Sequence, residues 1–485
     1  MAIPRVRCTD YRVLDDAQIR RIHLAVLQVL DEVGVFVEHE PALRIFRDCG
    51  CAVDFENRRV RIPEHVLRRA LATAPSRFTL YGLRPEFDVN VDTESIYTIG
   101  GSSALFTLDL DGNRRPATLQ DLEDFTRLLD ALPNLHIMHG IVNPQDIPQE
   151  GFDRRLFSAV VKNTARNYYS QGTGGASVRD QIEQAAIALG SVKAVRKRPP
   201  FTFVLCMISP LTQSAVRVEE LLACAEEGIP LYVEVDSQPG ATTPITLAGT
   251  LVEECANVLC GITLAQLVRP GLPCIFAIAS GVMDMATMCY SGGDPRTTLL
   301  HAATAQMARF YNLPFQGGTG IDALYPDVQA GYERGMQVLA NALAGTNFIH
   351  LSLGMIEQMM TASFEQCVID NEIIDAAFRI ARGLEVTDET LAVDVIREVG
   401  PGGNFLSHPH TLERFRREAW FPKLTVRDRY ETWKARDGRD MRQRANAEAR
   451  RILREHHPAY IDEKARAEMD RLAIAQQKRL ITQRR

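Results

Sequence analysis

The residues best suited to chemistry follow short apolar runs in the second half of the chain. Two such runs, residues 313–316 and 347–353, end in small residues and lead through acidic or amide side chains into a helical pattern. In a parallel β/α protein the ends of the strands carry the active site. All positions of this kind together supply carboxylates and amides: Glu234, Asp236, Asp322, Asp327, Glu333, Glu357, Glu365, Asn143, Gln171, Gln316, Gln329 and Gln358.

This set of side chains is poor in lysine and arginine. A pocket rich in carboxylates favours a cationic substrate or a metal ion over a phosphate. His350 and Cys206 are the nearest candidates for a zinc site, but no H-x-H or H-E-x-x-H motif falls on a strand end. We therefore expect no metal site, and a metal-dependent lyase or hydrolase stays as the alternative.

From these positions we predict a catalytic group and a substrate-binding group. The predicted catalytic residues are Asp322, Glu357 and His350. The predicted substrate-binding residues are Tyr97, Gln171, Glu234, Phe315, Gln316, Gly318, Gln329 and Glu333. Aromatic rings near strand ends can hold a cation, although packing in the core is their commoner role. Asp327 can equally cap the helix that follows it.

Eight strand–helix units between residues 96 and 382 must position these side chains. The predicted strands are residues 96–99, 135–142, 167–171, 201–207, 229–235, 273–279, 313–316 and 347–353. Eight is the number that closes a (β/α)8 TIM barrel, which we favour over an open doubly wound sheet. The glycine turns at 172–175 and 317–320 indicate tight turns, because no Rossmann or P-loop motif accompanies them.

Two further regions flank the predicted barrel. Residues 1–95 form an N-terminal helical and β cap, whose first helix ends at Gly34. Residues 383–485 form a C-terminal helical extension, and its tail from residue 427 carries 17 basic and 10 acidic residues. Such a tail predicts solvated helices packed on its own or a neighbour's surface, or a docking site for an acidic partner.

Composition excludes several classes of protein. The formal charge of −6 is too mild for a nucleic-acid binder. No apolar run is long enough to span a bilayer, and the N-terminus lacks the apolar core of a signal peptide, so we expect a cytoplasmic protein. The ten cysteines include no C-x-x-C pair, which indicates core residues or free thiols.

Four long stretches carry a resemblance to a known family: residues 100–134, 243–273, 317–333 (GGTGIDALYPDVQAGYE) and 342–374. They resemble the trimethylamine methyltransferase superfamily, in particular its branch without pyrrolysine, which includes glycine betaine:corrinoid methyltransferases. The resemblance implies a TIM barrel that moves a methyl group from an amine to the Co(I) of a separate corrinoid protein. Trimethylamine members carry pyrrolysine, and this chain has only standard residues, so the resemblance implies a quaternary amine such as glycine betaine.

The resemblance also implies how the task is divided. The cobalamin belongs to a partner protein and is not permanently bound, while aromatic faces and a carboxylate hold the cation and an arginine, histidine or backbone donor holds the betaine carboxylate. We expect a homo-oligomer, and neither nucleic acid nor membrane as a partner. A non-catalytic protein that binds quaternary ammonium compounds is a further alternative.

Overall fold

A barrel of eight parallel strands forms the centre of the computed structural model, which describes residues 11–318 and 320–484, without the side chains of residues 483 and 484. The strands run in the order β1-β8-β7-β6-β5-β4-β3-β2. Their bounds are β1 Tyr97–Thr98, β2 Met138–His139, β3 Tyr168–Ser170, β4 Phe201–Met207, β5 Leu231–Val235, β6 Cys274–Ile278, β7 Phe315–Gly318 and β8 Phe348–His350.

Hydrogen bonds between β1 and β2 close the sheet into a ring. Ile99 and Ile137 form a parallel bridge, and the Ile137 N–H donates to the Thr98 carbonyl oxygen at 3.0 Å. The (β/α)8 TIM barrel predicted from the count of eight units is therefore confirmed, and the open doubly wound sheet is wrong. Most strands are shorter than predicted, since only their central residues pair regularly.

One helix follows each strand and covers the outside of the barrel. These helices are α1 Leu119–Ala131, α2 Phe152–Val161, α3 Gly175–Leu189, α4 Ala215–Glu227, α5 Leu247–Val268, α6 Pro295–Phe310, α7 Val328–Ala344 and α8 Phe364–Ala381. A capping box of Thr118 and Asp121 starts α1, and the Asp327 side chain accepts from two backbone N–H groups at the start of α7. Asp327 therefore caps helix α7, as considered from the sequence.

Helix α5 is long and apolar enough to cross a membrane by length and composition alone, so the expectation that no apolar run has the necessary length is wrong. In this fold, 83% of its most apolar window is buried. It lies against β5 and β6 in the central core, which explains why its sequence is apolar on every side.

The N-terminal segment closes the bottom of the barrel. Its elements are Asp16–Gln28, a π-helix Val29–Val33, Val35–Val37, Glu40–Asp48, Ala52–Asp54, Arg59–Arg61, Glu64–Thr73, Phe78–Leu80, a 3₁₀ turn Pro85–Phe87, and Val89–Val91. Gly34 ends the first helical run with φ of 76°, as the sequence predicts. The hairpin side chains Leu80, Val89 and Val91 pack with the inward side chains of the barrel, so they plug its N-terminal end.

Other, short strands cover the opposite end of the barrel, where the carboxyl ends of β1 to β8 lie. Phe106–Leu108 and Arg114–Pro116 form a hairpin after β1, and Met355–Ile356 and Thr361–Ser363 join it in one sheet. A second hairpin, Val282–Met283 with Tyr290–Ser291, lies between β6 and α6. Thr212–Gln213 after β4 pairs with the N-terminal sheet, and a short helix Val192–Lys197 follows α3.

The C-terminal extension wraps round the barrel in helices. They are Asp388–Leu391, Val393–Val399, Pro409–Glu418, Tyr430–Ala435, Met441–Glu455 and Glu463–Arg484. The last two pack on α8 and on α2 and α3, respectively. Asp470 accepts from Lys162, and Arg479 donates to Asp180, so the basic tail covers the chain's own barrel.

A buried ion pair joins α7, α8 and the chain after β8. Arg334 and Asp370 are both fully buried, and the Arg334 Nε donates to the Asp370 Oδ1 at 3.1 Å. Arg334 also donates to the carbonyl oxygens of Leu351 and Met355, while Asp370 accepts from the Gly354 N–H. The pair therefore fixes the loop that leads from β8 to the mouth.

We predict that Asp370→Asn lowers the free energy of unfolding by about 3–5 kcal/mol, because the buried guanidinium loses its countercharge. Urea denaturation followed by circular dichroism measures the loss. The matched control is Asp394→Asn, because the Asp394 side chain is 92% exposed in its ion pair and should change stability very little. Equal stability of both variants would contradict the role assigned to the buried pair.

Candidate active site

A buried carboxyl group, that of Glu234, lies at the centre of the barrel mouth. Alternation along the strands points Tyr169, Glu234 and Gln316 into the barrel, from β3, β5 and β7. The Glu234 Oε2 lies 2.9 Å from the Tyr169 hydroxyl and 2.9 Å from the Gln316 Nε2. Three strands that are not adjacent in the chain thus meet at one oxygen atom.

The count of hydrogens in this cluster bears on the charge of Glu234. The Tyr169 hydroxyl lies 2.9 Å from both the Glu234 Oε2 and the Gln316 Oε1, yet it has one hydrogen to donate. A proton on Glu234 would let both contacts be hydrogen bonds. Burial raises the pKa of Glu234, and the hydrogen bonds from Gln316 and Tyr169 oppose that rise.

Two neutral histidines extend the cluster toward β2. His350 lies with its Nδ1 3.2 Å from the Gln316 Nε2 and its Nε2 3.2 Å from the Nδ1 of His139. If Gln316 donates to His350, the Nε2 of His350 carries the hydrogen and donates to His139. Burial lowers the pKa of His139 to about 3 and holds that of His350 well below its usual value. These rings therefore line the mouth without a positive charge.

Asp236 adds a second carboxylate above Glu234. Burial and the charge of Glu234 raise its pKa to about 7, and its Oδ1 is buried with no hydrogen-bond partner among the described residues. Beside it, Tyr290 from the hairpin after β6 packs its ring against Gly281, where a Cβ would lie 2.4 Å from the ring. Burial raises the pKa of Tyr290, and the nearby charges of Asp236 and Asp322 raise it further.

Asp322 forms the β7 side of the mouth. Its side chain accepts from the Ser291 hydroxyl, and its Oδ1 is buried without a partner among the described residues. Burial raises the pKa of Asp322 above its ordinary value. The predicted binding residues Glu333 and Gln329 support this loop: Glu333 accepts from the Asp322 N–H at 2.8 Å and from the Gln329 side chain at 2.7 Å.

The structure places four other predicted residues away from this cluster. The Tyr97 hydroxyl donates to the Asn90 carbonyl oxygen at the plugged end of the barrel, because β1 starts there. Phe315 faces the helices, with its ring centroid 6.2 Å from that of Phe276. Glu357 pairs with Arg114 in the covering sheet, and Gly318 contributes only its N–H, which donates to His301.

Gln171 remains at the mouth, half-buried on the β3 side, with its amide 3.4 Å from the Ser103 hydroxyl. Of the predicted residues, the fold therefore brings together Glu234, Gln316, His350 and Asp322, with Gln171 near them. His139 and Tyr290 were not predicted. The alternation of β2 points His139 inward and was available as a signal, whereas Tyr290 reaches the mouth only through a hairpin that the sequence did not indicate.

The chemistry of the donor set is that of a cation-binding pocket. Across residues 11–318 and 320–484, no group of three or more His, Cys, Asp or Glu side chains is placed to hold a metal ion. The three carboxyl groups of Glu234, Asp236 and Asp322 share the mouth with aromatic rings and neutral imidazoles. Such a pocket suits an organic cation, whose charge would favour ionised carboxylates.

Comparisons with known proteins agree on one family. A sequence profile described as trimethylamine methyltransferase matches residues 2–481. Glycine betaine methyltransferase of Desulfitobacterium hafniense (strain Y51) is 35% identical over 454 residues, covering 93% of this chain and 94% of that protein. Trimethylamine methyltransferase of Methanosarcina thermophila is 34% identical over 463 residues, covering 93% and 95%.

Among solved structures, monomethylamine methyltransferase of Methanosarcina barkeri aligns with 93% of this chain and 95% of its own. The sequence identity is 12% and the TM-score is 0.49.

The pKa of Asp236 predicts that cation binding strengthens as the pH rises through neutrality. Below its pKa of about 7 the carboxyl group is neutral, and above it a negative charge attracts the ligand. We expect the Kd of tetramethylammonium, measured by calorimetry, to fall about tenfold between about pH 6 and pH 8.5.

Asp236→Asn should remove this dependence on pH. Asp284→Asn should preserve it, because hydrogen bonds from Thr287 hold the pKa of Asp284 below its usual value. A wild-type Kd that does not vary with pH would exclude Asp236 from the cation site.

Proposed function

Since the chain belongs to the trimethylamine methyltransferase family and is a methyltransferase, we propose that it transfers a methyl group from a betaine-like quaternary amine to the Co(I) of a corrinoid on a separate protein. The observation that supports this substrate is the carboxylate cluster of Glu234, Asp236 and Asp322 at the mouth of the barrel. Its buried oxygens gain a countercharge when an organic cation binds.

The chemistry of the donor explains why so few acid–base groups are needed. When the bond between the methyl carbon and a quaternary nitrogen breaks, its electron pair stays on nitrogen and a neutral tertiary amine leaves. The corrinoid supplies the electron pair of the new cobalt–carbon bond from Co(I). No proton has to be delivered, so the protein's tasks are to hold the cation, aim one methyl group outward and exclude water.

Side chains at the centre of the mouth hold the cation. Glu234, held between Tyr169 and Gln316, provides a fixed negative centre at the bottom of the pocket. Its pKa falls as the ligand's charge approaches, so the bound state has an ionised carboxylate. The neutral rings of His139 and His350 fill the β2 and β8 side without repelling the ligand.

An apolar rim supports a large partner domain as the carrier of the methyl acceptor. The loops after β4 to β8 each expose a large apolar side chain at the mouth, and these define the rim: Ile208, Ile245, Met285, Met288, Leu324 and Met360. Solvent-exposed apolar groups that cluster in this way mark interaction surfaces. A corrinoid domain seated on the rim would bring its acceptor to the pocket. The homo-oligomer expected from the sequence stays a prediction.

We predict that the protein methylates Co(I) cobalamin with glycine betaine or a related quaternary amine as donor, followed by the absorbance of methylcobalamin. Glu234→Gln should lower kcat/KM at least about 100-fold, because the neutral amide cannot balance the ligand's charge. Glu398→Gln, at a side chain that is 73% exposed, is the matched control.

Absence of methyl transfer with a panel of quaternary amines and a cognate corrinoid protein would refute the proposal. Tight binding without turnover would favour a binding protein, and activity lost to chelators would favour a metal-dependent enzyme.

We also predict that Met288→Glu raises the KM for a cognate corrinoid protein about tenfold, because a charge on the rim must be desolvated on docking. The KM for the amine and the rate with free cobalamin should stay as in the wild type. Leu24→Glu, at a position that is 63% exposed on the first N-terminal helix, is the control. If the KM for the corrinoid protein is unchanged, the rim is not the docking surface.

A further inference from the structure

Arg217 brings a positive charge to a mouth whose centre carries the carboxyl groups of Glu234, Asp236 and Asp322. Arg217 lies in the first turn of α4, directly after the loop that leaves β4. Its Nη1 donates to the Gly172 carbonyl oxygen at 3.2 Å and to the Glu220 Oε2 at 2.6 Å. Both bonds leave from one nitrogen. In the described part of the chain, its Nε and Nη2 make no hydrogen bond.

These two contacts hold the guanidinium in a fixed orientation. Glu220 is fully buried and also accepts from the Gly174 N–H at 2.9 Å, so it cannot follow Arg217 into solvent. Gly172 belongs to the turn after β3, which places the guanidinium at the β3–β4 side of the mouth. The Arg217 side chain is 28% exposed, and its remaining N–H groups are therefore accessible to a ligand.

Arg217 is also electrostatically coupled to the site. Burial raises the pKa of Glu234, and the charge of Arg217 opposes that rise. The same guanidinium opposes the rise that burial causes in the pKa of Cys206, whose residue pairs with Glu234 across the β4–β5 ladder. The charge of Arg217 thus acts on side chains that face the centre of the barrel.

The carboxyl groups at the centre of the mouth and the free donors of Arg217 lie on different sides. Glu234 and Asp236 leave β5, and Asp322 follows β7, so these three carboxyl groups lie on the β5–β7 side. Arg217 lies on the β3–β4 side, where its Nη1 pairs with Glu220 and its Nε and Nη2 make no hydrogen bond among the described residues. A ligand with an ammonium group at one end and a carboxylate at the other matches this separation, because guanidinium donors pair geometrically with carboxylate oxygens.

We propose that Arg217 binds the carboxylate of a zwitterionic methyl donor and thereby selects betaines over quaternary amines that carry only a positive charge. The inference rests on the proposed function and names the residue that determines its specificity. Arg217 is a specificity residue, because it contacts the part of the donor that does not react.

The experiment compares two donors that differ in one end. Glycine betaine carries a carboxylate, and choline carries a hydroxymethyl group in its place. Binding of each to the full chain is measured by calorimetry. We expect Arg217→Gln to raise the Kd of glycine betaine about 10- to 100-fold, with the Kd of choline unchanged or lower. Added methylguanidinium should restore part of the betaine affinity.

Arg179→Gln is the matched control, because Arg179 forms an exposed ion pair with Glu226 on the outer helices. It should leave both dissociation constants unchanged. An equal loss of affinity for both donors in Arg217→Gln would overturn the inference, since a merely structural arginine would give that result. Unchanged betaine affinity would overturn it as well.

The failure of the proposed function gives a different pattern. In that case the wild-type protein binds neither donor, or binds them without any methyl transfer to cobalamin. If the wild type binds and demethylates betaine and Arg217→Gln does so equally well, only the inference about Arg217 fails.

Discussion

Burying the carboxyl group of Glu234 is the constraint around which the barrel mouth is organised. A carboxylate in a closed barrel costs several kcal/mol unless hydrogen bonds or a countercharge offset the loss of water. Tyr169 and Gln316 provide the hydrogen bonds. Gln316 also contacts His350, which in turn contacts His139. Side chains from β2, β3, β5, β7 and β8 are consequently locked into one network.

Two further sets of contacts hold the loops around this network. The buried pair of Arg334 and Asp370 fixes the chain after β8, and Glu333 fixes the loop after β7 through two backbone N–H groups. Neither set of contacts reaches the centre of the mouth. Acidic residues near the strand ends therefore serve two purposes: some hold loops in place, and others line the mouth.

The same constraint explains the chemistry that the site favours. A pocket lined by buried carboxyl groups gains stability from a ligand that brings a permanent positive charge. A quaternary ammonium group has that charge at every pH and needs no proton to leave as an amine. In the proposed reaction, electrostatic binding of the donor and activation of its methyl group thus come from one property, the permanent charge of the donor.

The sequence by itself determined the barrel and the character of its mouth. The count of eight strand–helix units and the surplus of carboxylates at strand ends are local or periodic features, which can be read from the sequence alone. Glu234, Gln316 and Asp322 could be selected in this way, because position at a strand end places a side chain at the mouth.

Only the tertiary structure decided which of the candidates face a common point. Tyr97 lies at the wrong end because β1 begins at the plug, and Phe315 faces outward because alternation sends its neighbour Gln316 inward. Glu333 accepts from the backbone of the loop before its own helix, and Glu357 pairs with Arg114, which lies 243 residues away in the sequence. Tyr290 and Arg217 reach the mouth through a hairpin and a helix start, since the closing of a barrel brings together residues whose separation along the chain carries no signal of their contact.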